Sequence, residues 1–137
     1  MMSDSVFARI ARREIPAAVV YDDGQVIAFM DAGQVNPGHV LVAPHRVAET
    51  LLDLSEAEAA HLFAVVHRVA RAVQAAFAPE GITLLQANRP AGFQTVPHMH
   101  VHVLPRHAGD GVELVWPRKE PGLEALRALA ARLRIEP

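Results

Sequence analysis

Hydrophobic residues recur at two different spacings along the chain, and each spacing predicts its own kind of element. Four short apolar runs, each bounded by Gly, Pro or Asp, are typical of strands: residues 17–21, 25–30, 39–44 and 81–86. Residues 55–78 open with Ser-Glu-Ala-Glu, the pattern of a helix capping box, and then repeat apolar residues three and four positions apart. This segment predicts one long amphipathic helix, and shorter helices are expected at 3–12 and 123–133.

Residues 97–106 read Pro-His-Met-His-Val-His-Val-Leu-Pro-Arg, which predicts a fifth strand in which histidines and apolar residues alternate. The histidines of this strand are His98, His100 and His102. Successive side chains of a strand point to opposite faces, so one face carries imidazoles about 6.5 to 7 Å apart and the other is apolar. We expect the apolar face to enter the core and the imidazoles to face an open cleft. Because the pKa of imidazole is about 6.5, such a row can provide a nucleophile, an acid, a base or a hydrogen-bond donor.

Two other interpretations compete with an active-site strand. A solvated strand needs no function, and histidine tags are simple tracts without the regular apolar interleaving of this segment. A metal site is the stronger rival, because two imidazoles in His-x-His spacing can bind one zinc ion while a neighbouring strand provides a third ligand. His98 and His102 would lie about 13 to 14 Å apart, whereas a Zn–N bond is about 2.1 Å, so all three histidines can hardly share one ion. The pattern therefore favours phosphate chemistry over a metal site, and a metal site over a surface strand.

Composition narrows the functional classes. With 137 residues, 51% of them hydrophobic and 20% charged, the chain is expected to form one soluble globular domain over residues 1–137. The formal net charge of -2 gives no broad positive surface for nucleic acid, and no apolar run is long enough for a membrane span. The absence of cysteine excludes disulfides and thiolate nucleophiles. We expect a cytoplasmic enzyme with no cofactor, no metal, no nucleic-acid partner and no membrane partner.

Several polar residues stand next to predicted strands and are candidates for ligand contacts. Asn88, Gln94 and Thr95 belong to a loop directly before the histidine strand and offer donors suited to phosphate oxygens. Asp31 follows the second strand, where a carboxylate either caps the next turn or accepts hydrogen bonds from a ligand hydroxyl, and capping is preferred from position alone. The single tryptophan, Trp116, is expected to pack in the core rather than line the site.

The histidine strand resembles the signature of one known family. The order His-φ-His-φ-His-φ-φ, with φ apolar, occurs at residues 98–104 and is typical of the histidine triad (HIT) nucleotide-binding proteins. Other segments resemble this family in the same order along the chain: Phe29-Met30-Asp31, residues 37–44, Asn88 and Gln94-Thr95. The resemblance covers roughly residues 5–106 and leaves 107–137 as a C-terminal extension.

The resemblance implies an α+β fold with a five-stranded antiparallel sheet, one long helix, shorter terminal helices and a homodimer. It also implies cleavage or transfer of a purine nucleoside monophosphate at the α-phosphorus. His100 would be the nucleophile and form a nucleotidyl-histidine intermediate, while His98 and His102 would hydrogen-bond the phosphate or the leaving group. His39 would assist orientation or proton relay. The implied substrate contacts are Asn88, Gln94 and Thr95 to phosphates, Asp31 to the ribose and Phe29 to the base.

Two features of the chain bear on zinc and on the branch of the family. Ser5 and Ala8 occupy positions where some bacterial members carry the cysteines of a structural zinc site, so we expect no zinc there. Residues 104–106, Leu-Pro-Arg, resemble the branch that hydrolyses dinucleoside polyphosphates as well as many bacterial members.

Four functions are compatible with these residues, and the first is preferred. It is hydrolysis of AMP-amine phosphoramidates, for which a neutral His100 and a protonated flanking histidine predict a bell-shaped rate profile. The second is hydrolysis of dinucleoside polyphosphates, or nucleotidyl transfer. The third is a non-catalytic module that binds or senses AMP. The fourth is a metal-dependent hydrolase that uses His98 or His100 together with His39.

Overall fold

A five-stranded antiparallel sheet forms the centre of the protein, which a computed structural model describes over residues 4–137. The strands are β1 (Val19–Asp22), β2 (Val26–Met30), β3 (Val40–Pro44), β4 (Gly81–Gln86) and β5 (Val101–Arg106). Their order in the sheet is β1-β2-β3-β5-β4, so β5 lies between β3 and β4. The helices are α1 (Val6–Ala11), α2 (Glu56–Phe77) and α3 (Leu123–Ala131). The predicted α+β class, the sheet and the long helix are confirmed.

Helix α2 begins at the predicted capping box and covers one face of the sheet. The Ser55 hydroxyl accepts from the backbone N–H of Glu58, and the Glu58 carboxylate accepts from the backbone N–H of Ser55. The helix ends at Ala78, which adopts the left-handed conformation typical of a C-terminal cap. The buried side chains that α2 and the histidine segment contribute to this core are Leu62, Val65, Val66, Val69, Val73, Met99, Val101 and Val103.

Helix α1 covers the opposite face of the sheet. Alternate residues of β2 and β3 point away from α2, as the two-residue period of a strand requires, and these residues pack with α1 into a second apolar cluster. The buried members of this cluster are Phe7, Ile10, Ala11, Ile27, Phe29 and Leu41. The face of the sheet that carries the histidines is therefore partly covered.

The histidine segment departs from the predicted strand at its start. β5 begins at Val101 rather than at residue 97, and its pairing with Val42 of β3 and Gln86 of β4 begins there as well. Just before β5, the backbone N–H of Met99 donates to the carbonyl oxygen of Ala48 at 2.7 Å, a contact outside the sheet. The first part of the segment is therefore held by loop contacts instead of strand pairing.

Two predictions about burial are wrong. The three imidazoles do not all face an open cleft, because His98 is 0% exposed and His100 is 5% exposed. The side chain of Trp116 does not pack in the core, because the residue is 75% exposed. The two faces of the sheet are already covered by α1 and α2, and residues 113–137 are exposed along their length.

The C-terminal segment adds little to the buried core. Helix α3 contains no buried residue. Within residues 4–137, no helix combines the length and the apolarity that a membrane crossing requires. A single domain over 1–137, with its motif-bearing part at about 5–106, stays a prediction.

Candidate active site

The candidate histidines converge because β3 and β5 are neighbours in the sheet. His39 directly precedes β3, and His102 lies in β5, where it pairs with Leu41. His98 and His100 lie in the segment that leads into β5. The ring centroids of His100 and His102 are 5.0 Å apart, and those of His39 and His102 are 5.2 Å apart. Three of the four imidazoles therefore form one contiguous group.

Both ring nitrogens of His98 are engaged within the protein. Its Nε2 lies 2.8 Å from the carbonyl oxygen of Pro44, so Nε2 carries the proton and donates. Its Nδ1 lies 2.5 Å from the hydroxyl oxygen of Ser5, which also accepts from the backbone N–H of Ala8 at 2.9 Å. The Ser5 hydroxyl consequently donates to Nδ1, and a neutral His98 satisfies every donor and acceptor in this set. The ring nitrogens that the implied phosphate contact requires are thus already occupied.

His100 presents one ring nitrogen that the protein leaves available. Its Nδ1 donates to the carbonyl oxygen of His98 at 2.7 Å, so the lone pair of the neutral ring is on Nε2. Within residues 4–137, Nε2 has no hydrogen-bond partner, whereas every fully buried side-chain nitrogen or oxygen has one. Nε2 is therefore accessible to solvent. The ring of Phe7 packs against His100 in an edge-to-face arrangement, with centroids 4.9 Å apart.

His39 and His102 are joined by a hydrogen bond of 2.9 Å between Nε2 of His39 and Nδ1 of His102. The backbone N–H of Val35 donates to Nδ1 of His39 at 3.4 Å, so His39 carries its proton on Nε2 and donates it toward His102. The other nitrogen of a neutral His102, Nε2, is then an N–H donor. Asp31 caps the next turn as predicted, because its Oδ1 accepts from the backbone N–H of Gly33 at 2.8 Å, and its Oδ2 lies 3.4 Å from Nε2 of His39.

A cavity of about 630 Å³ opens beside His100 and His102. Three of the predicted substrate contacts, Phe29, Asp31 and Thr95, line it together with these two histidines. Its remaining walls are mostly apolar and come from α1, from residues 15–18 and from the sheet. Small-molecule sites typically have volumes of about 300 to 1,000 Å³ and combine apolar walls with a few convergent polar groups. The cavity has both properties.

Two predicted phosphate contacts, Asn88 and Gln94, are engaged with backbone groups instead. The side-chain oxygen of Asn88 accepts from the backbone N–H of Leu51 at 2.7 Å. The side-chain amide of Gln94 donates to the carbonyl oxygen of Glu49 at 2.5 Å. Neither residue lines the cavity beside the histidines. In this structure both amides connect the loop before the histidine segment to the segment that follows β3.

Burial lowers the pKa of all four histidines, because it disfavours the charged imidazolium. Desolvation and then the neighbouring histidines lower the pKa of His102 to about 4. At His39 the carboxylate of Asp31 opposes the effect of desolvation, and at His98 and His100 the hydrogen bond to a backbone carbonyl opposes it. The resting imidazoles are therefore neutral at pH 7, which suits a nucleophile but differs from the protonated flanking histidine expected from sequence.

One group in the described part of the chain has the spacing of a metal site. The ligand atoms of Asp31, His39 and His102 lie within 4.8 Å of one another. Two imidazoles and a carboxylate suit zinc or another divalent transition metal. The two nitrogens concerned are hydrogen-bonded to each other, so the rings must move apart before both can bind an ion. The predicted combination of His39 with His98 or His100 is not the one that the structure brings together.

Comparison with known proteins agrees with this arrangement. The family model described as the HIT domain matches residues 12–109. The chain belongs to the HIT family. Protein hit of Bacillus subtilis is 38% identical over 112 residues, which are 81% of this chain and 77% of that protein. The crystal structure of a HIT family protein from Bacillus anthracis has a TM-score of 0.92 at 34% identity, covering 97% of this chain and 96% of that one. A hypothetical histidine triad nucleotide-binding protein from Sulfolobus tokodaii has a TM-score of 0.72 at 32% identity, covering 91% and 86%.

Membership of the HIT family supports a nucleotide hydrolase or transferase as the general class of activity. Sequence interpretation missed three contacts that hold the histidines of this HIT protein. Phe7 packs on His100, and the Ser5 hydroxyl and the Pro44 carbonyl engage His98. The available signals were the apolar face of α1 and a serine at its N-cap, and neither indicates which distant residue it meets.

Proposed function

We propose that this HIT protein hydrolyses purine nucleoside 5′-monophosphate derivatives at the α-phosphorus, with AMP-amine phosphoramidates as substrates and His100 as the nucleophile. The observation that carries the proposal is the tautomer of His100, whose Nδ1 donates to a carbonyl and whose Nε2 keeps its lone pair beside the cavity. The lowered pKa of His100 keeps this ring neutral at pH 7. A neutral imidazole is a competent nucleophile in covalent catalysis.

The reaction comprises two displacements at phosphorus. Nε2 of His100 bonds to the α-phosphorus while the bond from phosphorus to the amine nitrogen breaks, and the amine leaves with an added proton. Water then bonds to phosphorus through its oxygen as the bond to His100 breaks, and its proton goes to the His102 ring that protonated the amine. This step releases AMP, returns the lone pair to Nε2 of His100 and restores the proton of His102. The hydroxyl of Thr95 is a donor for the non-bridging oxygens, where charge builds up during each displacement, and the Nε2–H group of His102 is a donor for them until its proton passes to the leaving amine.

The proton for the leaving amine comes from His102 in the substrate complex. The pKa of His102 is about 4 in the free protein, and a bound phosphate anion raises it because an opposite charge nearby favours the imidazolium. A protonated His102 can no longer accept from His39. The Oδ2 of Asp31, 3.4 Å from Nε2 of His39, is positioned to accept that N–H instead. The same carboxylate binds the ribose hydroxyls, and Phe29 contacts the base.

Incubation with a fluorescent AMP-amine phosphoramidate tests the proposal. We expect release of AMP and the amine, together with an acid-labile AMP adduct on the protein. His100→Ala is expected to lose the adduct and at least about 10³-fold in rate, because the covalent route no longer exists. His67→Ala, which changes an exposed histidine of α2, is the matched control and is expected to leave both unchanged. An adduct that persists in His100→Ala contradicts the proposal.

Product analysis separates the related functions. A dinucleoside polyphosphate hydrolase yields AMP plus ADP or ATP from a diadenosine polyphosphate faster than it yields AMP from a phosphoramidate. A nucleotidyl transferase yields a new AMP ester or anhydride when an acceptor is added. A sensing module binds AMP in calorimetry and turns over none of these substrates.

A metal-dependent hydrolase is the second candidate, and the close approach of Asp31, His39 and His102 favours it. In that case EDTA abolishes turnover and added Zn²⁺ restores it. The covalent histidine route instead predicts the same rate with and without EDTA, because His100 attacks phosphorus without an ion.

We also propose that two copies associate through the exposed C-terminal segment. Helix α3 has nine residues, buries none of them, and is too short to be stable alone in water. The exposed apolar residues of this segment include Trp116, Leu123, Leu126 and Leu129. Sedimentation equilibrium is expected to give twice the chain mass at micromolar concentration, and Leu126→Asp is expected to give the monomer mass. A monomeric wild-type protein contradicts this assembly.

A further inference from the structure

The backbone carbonyl of His98, rather than its ring, contacts the proposed nucleophile. Its oxygen accepts from Nδ1 of His100 at 2.7 Å. This bond decides which nitrogen of His100 carries the proton and which carries the lone pair. The position of one peptide group therefore controls the reactive atom.

This peptide group lies outside the sheet, since β5 begins only after it. One side of the group is held by the backbone N–H of Met99, which donates to Ala48 at 2.7 Å. The other side is held through the ring of His98, which donates to the carbonyl oxygen of Pro44 and accepts from the hydroxyl of Ser5. The two anchors together determine the location and the rotation of the peptide plane.

We infer that Ser5 is a positioning residue for His100, because its hydroxyl fixes the ring of His98 and the backbone of His98 fixes the nucleophile. The oxygen of Ser5 accepts from the backbone N–H of Ala8, which directs its hydroxyl proton toward Nδ1 of His98. His98 is 0% exposed, so loss of that hydroxyl leaves a buried ring nitrogen without its protein partner, which is costly. The inference rests on the proposed role of His100 and adds a residue that does not line the cavity.

Helix α1 makes a second contact that acts in the same direction. The ring of Phe7 packs on His100 at a centroid distance of 4.9 Å and on His98 at 6.0 Å. Both contacts come from the start of α1, so the cap at Ser5 also sets the position of Phe7. The beginning of this short helix thus holds His100 through a ring contact and through the backbone.

The chain contains a matched control for the capping role of Ser5. Ser55 is the N-cap of α2, and its hydroxyl accepts from the backbone N–H of Glu58 at 3.1 Å. The Ser55 hydroxyl and the Ser55 backbone N–H both bond to Glu58, at the start of the same helix. Ser55→Ala therefore removes a serine cap without removing a partner of a histidine.

The experiment compares Ser5→Ala and Ser55→Ala in the full chain labelled with ¹⁵N-histidine. For Ser5→Ala we expect kcat with an AMP-amine phosphoramidate to fall about 10- to 100-fold while KM changes less than about threefold, because the nucleophile is misplaced after binding. The ¹⁵N spectrum of His100 is expected to change from one Nδ1–H tautomer to a mixture. For Ser55→Ala we expect the loss of the cap to lower Tm by about 2 to 6 °C, with an unchanged His100 spectrum and kcat within about twofold.

Two outcomes overturn the inference. One is a Ser5→Ala protein in which both kcat and the His100 tautomer match Ser55→Ala. The other is a wild-type His98 that carries its proton on Nδ1 at pH 7.5, a result that needs no variant and applies even if Ser5→Ala does not fold. Absence of turnover in the wild-type protein removes the proposed function, whereas the tautomer comparison still tests the role of Ser5.

Discussion

Helices α1 and α2 cover opposite faces of one sheet, but they contact it through different chemistry. The five buried residues of α2 are all Leu or Val, and they meet apolar residues of the sheet. The six-residue α1 places Phe7 against His98 and His100, and its N-cap Ser5 is hydrogen-bonded to His98. Both helices begin with a capping serine. The hydroxyl of Ser5 is also hydrogen-bonded to a histidine, whereas that of Ser55 caps its helix. The long helix serves stability, and the short helix organises the proposed chemistry.

The difference shows what a buried polar face needs. An apolar side chain is stabilised by burial alone, whereas a buried polar group without a partner costs about 1 to 3 kcal/mol. Each nitrogen of His98 therefore has a partner, and these partners come from α1 and from the end of β3. The stability of the histidine face depends on specific hydrogen bonds, whereas the stability of the α2 face depends on apolar side chains that fill the space.

The largest expected difference between the two faces is in the pH dependence of stability, because the histidine face contains buried groups whose lowered pKa values make it less stable in acid. Burial lowers the pKa of the four histidines, so below about pH 6.5 the unfolded chain binds protons that the folded chain does not. Their contribution to stability is complete above that pH and is lost as the pH falls toward the folded values, about 4 for His102. For each proton that the unfolded chain binds and the folded chain does not, the free energy of unfolding falls by about 1.4 kcal/mol for every unit by which the pH is lowered. Urea unfolding between pH 7.5 and 5 measures the slope, and a flat profile contradicts the lowered pKa values.

Leu62→Ala is expected to destabilise the α2 face without changing the chemistry. Leu62 is 0% exposed, and truncation of such a side chain typically costs about 2 to 5 kcal/mol. We expect the same loss in urea unfolding at pH 7.5 and 5.5, with kcat unchanged for the folded protein. Leu62→Met, which nearly conserves volume, is the control and is expected to cost less than about 1.5 kcal/mol. A fall in kcat for Leu62→Ala contradicts the separation of the two faces.

Phe7→Leu is expected to lower kcat as well as stability, because Phe7 packs against His100 on the α1 face. Loss of the aromatic contact with His100 is expected to lower kcat about tenfold, equivalent to about 1.4 kcal/mol, and the free energy of unfolding by about 1 kcal/mol. Ile10→Val shortens a neighbouring side chain of the same cluster and serves as the control, with a stability cost of about 0.5 to 1.5 kcal/mol and normal kcat. Equal kcat values for the two variants contradict a specific role of the Phe7 ring in supporting His100.

Gly38→Ala tests the contact between α2 and the loop that precedes His39, and its expected effect is the smallest. Gly38 has a φ of +100°, and an added Cβ would lie 2.7 Å from the ring of Phe77 at the end of α2. We expect a loss of about 1 kcal/mol in urea unfolding, because Ala disfavours this backbone conformation. Gly33→Ala is the control, since Gly33 lacks a positive φ and its added Cβ would have only an ordinary contact of 3.6 Å with Asp31. Equal stability of the two variants contradicts the strain argument.

Local patterns predict the α2 side of the fold well. The capping box at Ser55 and Glu58 marks the observed start of the helix, and the predicted strand at 81–86 matches β4. Both features depend on residues close together in sequence, which is the information that periodicity and capping contain. The predicted apolar face of the histidine segment is confirmed as well, because Met99 and Val101 lie in the core against α2.

The histidine side could be predicted only in part, because distant residues determine it. The bond from Ser5 to His98 joins residues 93 positions apart, and no local pattern specifies such a pair. The predicted strand over 97–106 begins late because the N–H of Met99 finds a partner outside the sheet. The prediction that Trp116 is buried is wrong for a related reason. Its residue type favours burial, but α1 and α2 already cover the sheet.

The sequence separations in the histidine group also bear on how the chain folds. The contact between His39 and His102 spans 63 residues, and that between Ser5 and His98 spans 93. Contacts that close long stretches of chain form slowly, whereas a helix such as α2 gains its hydrogen bonds locally. During refolding, the helical circular dichroism signal, to which α2 contributes most, is therefore expected to recover before turnover. The recovery of turnover then measures the rate at which the histidine group assembles.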